Sequence, residues 1–159
     1  MNRIAFLLAV LLVAAFVRAE HFNIELTIQP SPEDTTAHSD TEPPMGGLRP
    51  RPVCHVKAGA EITLQFFFSS NFPHDIQKKV GVHYFIAPEK DAGTKAQPEP
   101  GKPAVLDGRF VMDFKPETGR VGLRQRLHID QPGTYLVKVI SENSDSDHEH
   151  FAAIDLIVE

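Results

Sequence analysis

From Phe22 to the C-terminus, apolar residues recur at every second position in one segment after another. Phe22, Ile24, Leu26 and Ile28 alternate with Asn23, Glu25 and Thr27. The same period runs through Ile62, Leu64, Phe66 and Phe68, then Val80, Val82, Tyr84 and Ile86, then Phe110, Met112 and Phe114. It returns in Val121, Leu123, Leu127 and Ile129, in Tyr135, Val137 and Val139, and in Ile154, Leu156 and Val158. Side chains of a strand point alternately to its two faces, so a period of two marks a strand with one face on a core. Enrichment in β-branched and aromatic residues supports the same reading. No segment after Ala19 sustains a 3.6-residue apolar period. The chain therefore predicts an all-β domain of about seven strands, arranged as a sandwich rather than a barrel.

Turn chemistry punctuates these runs. Lys57-Ala58-Gly59-Ala60 and Gln131-Pro132-Gly133 read as tight turns leading into strands. Two longer stretches lack the alternation. Residues 30–52 are rich in Pro, Ser, Thr, Asp, Glu and Gly and predict a mobile or extended loop. Residues 88–103 predict a second long loop, and loops of this length are usually functional or disordered.

The N-terminus is of another kind. Arg3 precedes an unbroken apolar run from Ile4 to Val17, and Val17-Arg18-Ala19 has the form of a cleavage site. This order is that of a secretory signal peptide over 1–19, with a mature single domain over 20–159. A spanning helix needs about 20 apolar residues, and Arg18 and Glu20 interrupt this run too early. The expected location is outside the cytoplasm, periplasmic or secreted, with no stable membrane insertion after cleavage.

Charge and cysteine content narrow the partners. The 159-residue chain carries 16 basic and 21 acidic residues. Removing Arg3 and Arg18 with the signal leaves 14 basic residues and a formal charge of −7. Nucleic acid and anionic membranes need concentrated Lys and Arg, and Arg49, Arg51 and Lys57 make only a thin basic stretch. The single cysteine, Cys54, excludes an internal disulfide, so the core must stabilise the domain alone. Cys54 is expected to be buried. The absence of an Asn-x-Ser/Thr sequon favours a bacterial envelope over eukaryotic secretion.

Asp130-Gln131-Pro132-Gly133-Thr134-Tyr135-Leu136-Val137 is similar to the late-strand signature of immunoglobulin-like domains. The resemblance implies an immunoglobulin-like antiparallel β-sandwich in which the Tyr135 hydroxyl bonds back to nearby backbone. Val137 stands where antibody domains carry a cysteine, and the chain has no Trp. The resemblance is thus to the disulfide-free, widely dispersed members, and it bears on fold alone.

Histidine is enriched, with 8 in the chain. His21 would be the second residue after cleavage behind Ala19, where a free amine, an amide and an imidazole together can chelate Cu(II). The stretch from Asn143 to His150 is the most concentrated polar segment and predicts a solvated hairpin tip. Within it Asp145, Asp147, His148 and His150 offer borderline ligands for copper or zinc. The spacing of Asn143, Asp145, Asp147 and Glu149 imitates a calcium loop, but His148 replaces its turn glycine and Ile154 its bidentate Glu. Cys54-His55 comes too early in the chain for a blue-copper set. The neighbours His74 and Asp75 have no Gly-flanked Ser nucleophile beside them, and no other catalytic signature is present. The expected function is a non-catalytic exported binding or interaction module for a protein, peptide or glycan, with Phe67, Phe72 and Phe85 as candidate contact residues. A periplasmic copper- or zinc-binding protein using His21 or the hairpin histidines is the alternative.

Overall fold

A computed structural model describes residues 22–29, 34–38, 40–42, 50–70, 76–89, 104–115, 119–142 and 149–159. They form ten strands: β1 (Phe22–Gln29), β2 (Thr35–His38), β3 (Asp40–Glu42), β4 (Val53–Val56), β5 (Glu61–Ser70), β6 (Gln77–Pro88), β7 (Leu106–Phe114), β8 (Arg120–His128), β9 (Gly133–Glu142) and β10 (Glu149–Val158). The seven long strands coincide with the seven alternating segments. The chain is all-β, and its strands make two facing sheets. The smaller has the order β2-β1-β5-β8, and the larger has the order β3-β10-β9-β6-β7 with β4 also paired to β10.

The core between the sheets follows from the alternation. Phe22, Ile24, Leu26 and Ile28 of β1 and Ile62, Leu64, Phe66 and Phe68 of β5 face inward and are buried. Val80, Val82 and Ile86 of β6, Val137 and Val139 of β9, and Ile154, Leu156 and Val158 of β10 meet them from the larger sheet. Cys54 is buried among them. Aromatic edges interlock in this layer, with Phe22 against Phe114 at 5.1 Å and Phe66 against Tyr84 at 5.2 Å between ring centroids.

Three features depart from the sequence reading. First, the stretch expected as a loop over 30–52 contains β2 and β3. β2 pairs with β1 through Leu26↔Ala37 and Thr27↔Thr36, and β3 pairs with β10 through His150↔Thr41. The chain thus crosses from one sheet to the other between His38 and Asp40, a sheet switch that closes the corner of a sandwich. Second, β4 runs parallel to β10, with Cys54 opposite Leu156, so the sheet is mixed rather than purely antiparallel. Third, β9 and β10 are buried on both faces. Their outward residues Leu136, Ile140, Phe151 and Ala153 join Phe85 and Ala87 in a second buried cluster. Near-continuous apolar runs such as Leu136-Val137 and Val139-Ile140 are the signal of a doubly covered strand.

The turns fall where expected. Ala60 N–H donates to the Lys57 carbonyl at 3.1 Å, and Gly59 takes a φ of 74°. That third turn position demands positive φ, which glycine supplies without steric cost. Tyr135 is buried and its hydroxyl donates to the Gln131 carbonyl at 2.7 Å, the corner bond that the late-strand motif implied.

Candidate binding face

The outer face of the smaller sheet is built by the residues that alternate with its core. β5 presents Glu61, Gln65, Phe67 and Ser69, while β1 presents Asn23, Glu25, Thr27 and Gln29. The edge strand β8 presents Arg120, Gly122, Arg124, Arg126 and His128. The register sets Phe67 directly between Glu25 on β1 and Gly122 on β8.

Gly122 explains the position of the Phe67 ring. A Cβ built on Gly122 would lie 2.4 Å from Phe67 Cδ1 and 2.5 Å from the Phe66 carbonyl oxygen. Only hydrogen at that position lets the ring lie across β8. Glycine inside a strand commonly marks such a close approach. The Arg120 guanidinium carbon sits 3.8 Å from the ring centroid, and Arg120 Nη2 donates to Glu25 Oε1 at 2.9 Å. Phe67, Arg120 and Glu25 therefore form a half-exposed aromatic–cation stack in the middle of a polar sheet face. Around it Thr27 and Thr36 hydroxyls are hydrogen-bonded at 3.1 Å, and Gln65 stands opposite Arg124.

The larger sheet holds its polar groups differently. Arg51 is nearly buried, donating from Nε to Asp155 Oδ1 at 2.7 Å and from Nη2 to Glu89 Oε1 at 2.6 Å. Asp155 is fully buried. Burial, the largest effect, and the nearby Asp155 carboxylate raise the Glu89 pKa above 4.5, against the opposing pull of Arg51. His83 is buried on the outer face of β6. It bonds through Nε2 to Asp107 Oδ1 at 2.8 Å, and its Nδ1 lies 3.4 Å from Glu142 Oε1. These clusters join strands to one another.

Of the candidate metal ligands, His21, Asp145, Asp147 and His148 lie outside the described residues. His150 belongs to β10 rather than to a solvated tip. It is fully buried on the core side, its ring 6.2 Å from that of Phe22. Period-two register decides this, because His150 shares a face with Ile154 and Leu156. Among the described residues no group of three or more His, Cys, Asp or Glu side chains is placed to hold a metal ion. Of the candidate contact residues, Phe85 is buried in the outer cluster, Phe72 lies outside the described residues, and Phe67 is at the surface.

No protein-family model matches the chain, and no curated protein matches it. Among solved structures it is similar to a chitin-binding domain from Burkholderia pseudomallei, with 18% identity and a TM-score of 0.42. The match covers 69% of this chain and 57% of that one.

Proposed function

We propose that this chain is an exported, non-catalytic binding module that holds a glycan on the outer face of its smaller sheet. The carrying observation is the Phe67 ring, laid over Gly122 and clamped under Arg120, which Glu25 holds in turn. A side chain kept rigid before binding loses little entropy on contact, the general advantage of preorganisation. The Arg120 guanidinium and the part of the Phe67 ring that it leaves uncovered together offer a flat surface to the C–H face of a sugar. Gln65, Thr27, Arg124 and Glu25 supply donors and acceptors for hydroxyl groups around it. A protein partner would favour a larger apolar centre than one ring.

Affinity electrophoresis through gels containing defined polysaccharides tests this reading. Phe67→Ala is expected to weaken retention by about tenfold or more, as loss of a central aromatic contact does. Its thermal unfolding should stay close to that of the parent. Equal retention of parent and variant on every polysaccharide that retards the parent would overturn the proposal.

A further inference from the structure

The two sheets end on one side in long edge strands, and the two edges differ in kind. β8 carries Arg120, Arg124, Arg126 and His128 along its outer face. Antiparallel pairing of β8 with another β8 about any axis from Gly122 to Arg126 opposes two or more of these groups to one another. Like charges on an edge are a standard guard against strand pairing. β7 lacks this guard. Its outward residues are Asp107, Arg109, Val111 and Asp113, followed by Lys115, and among the described residues it pairs with β6 alone. Val111, at the middle of this row, is 68% exposed.

Pairing β7 with itself around a two-fold axis at Val111 sets Arg109 opposite Asp113 and Asp107 opposite Lys115, each twice. Val111 meets its own copy at the centre. On the other face, half-buried Phe110 and Met112 stand opposite each other. No like charges are opposed, and residues 107–115 are all used. Shifting the axis to Phe110 opposes Asp107 to Asp113, and shifting it to Arg109 opposes arginine to arginine. An axis at Gly108 pairs Asp107 with Arg109 but joins only the five strand residues 106–110, leaving Asp113 and Lys115 outside. Opposite-charge and apolar cross-strand pairs each stabilise a ladder, while like charges directly opposed destabilise it. Arg109 is 62% exposed on its side chain, and its present partner Glu142 is 3.8 Å away. Asp113 accepts from the Lys79 amide at 2.9 Å and remains exposed.

We infer that β7 is a homodimer interface, in which two copies join antiparallel across Val111 and continue the larger sheet from one molecule into the next. The occupant is a second copy because the charge row is self-complementary in this register, and an isologous contact closes at two subunits.

Sedimentation equilibrium of the protein without its first 19 residues is expected to show a monomer–dimer equilibrium. Arg109→Asp should weaken dimerisation by about tenfold, since it opposes aspartates at two symmetric positions. The double variant Arg109→Asp, Asp113→Arg should recover it, because the swapped pairs remain opposite in sign. Val111→Cys should give a disulfide-linked dimer under mild oxidation, since residues directly opposed across an antiparallel pair lie within disulfide reach. Asp107→Cys should not. A monomer at all concentrations would overturn the inference. So would a dimer indifferent to Arg109→Asp, cross-linking at position 107 but not 111, or open-ended growth in mass, the mark of β7 pairing with β8.

Discussion

Two single residues decide local structure by what they lack or hold. Gly122 lacks the Cβ that would displace both the Phe67 ring and the Phe66 carbonyl. Gly122→Ala must therefore move backbone as well as a ring, and is expected to cost about 1–3 kcal/mol in urea denaturation, the usual scale of overpacking. It should also reduce binding on the Phe67 face. A loss of binding without a loss of stability would mean that the ring moves freely. Tyr135 holds the corner before β9 through its bond to Gln131. Tyr135→Phe should cost about 1 kcal/mol, the net value of one intramolecular hydrogen bond, and unfolding indistinguishable from the parent would deny the corner a part in stability. Gly122 was legible in the sequence only as a glycine inside an alternating run. The residues it serves lie on β5, more than 50 positions earlier in the chain, so neither the stack nor its clamp by Glu25 had a local signal.

At the scale of elements, alternation located the seven long strands because each buries its own apolar row. β2 and β3 left no such mark. Thr35-Thr36-Ala37-His38 has a single apolar side chain, and these strands exist because β1 and β10 offer them an edge. His150 shows the converse error, in which clustering with nearby acids outweighed register in the reading. The segment ahead of β4 is tied to the larger sheet by Arg51, Asp155 and Glu89, and this tie makes stability depend on pH. Folding raises the Glu89 pKa, so the folded state holds that proton more tightly than the unfolded chain does. The stability this contributes is full below pH 4.5 and is lost as pH rises through the folded value. Glu89→Gln should remove that decline while Arg51 keeps Asp155. Denaturation midpoints of both proteins from mildly acidic to neutral pH measure the difference, and parallel curves would place the titration elsewhere.

For the molecule as a whole, the proposed export requires that the apolar N-terminal segment leave the chain before the domain acts. Mass analysis of the exported protein should find Glu20 as its first residue, and an intact Met1 on exported protein would refute cleavage. A dimer joined through β7 would present two Phe67 faces. Two linked sites on one polysaccharide can exceed the affinity of either alone by raising the effective concentration at the second.

β10 pairs with β3, β4 and β9, and all three precede it in the chain. A polypeptide emerging N-terminus first therefore carries three strands whose common partner does not yet exist. Until residues 149–158 appear, β3 and β4 have no sheet to join, and Leu26, Ile28 and their neighbours face an incomplete wall. Such nonlocal pairing folds slowly, on the order of milliseconds to seconds. The larger sheet cannot be completed until β10 is made, an order of assembly compatible with the proposed export as an unfolded thread.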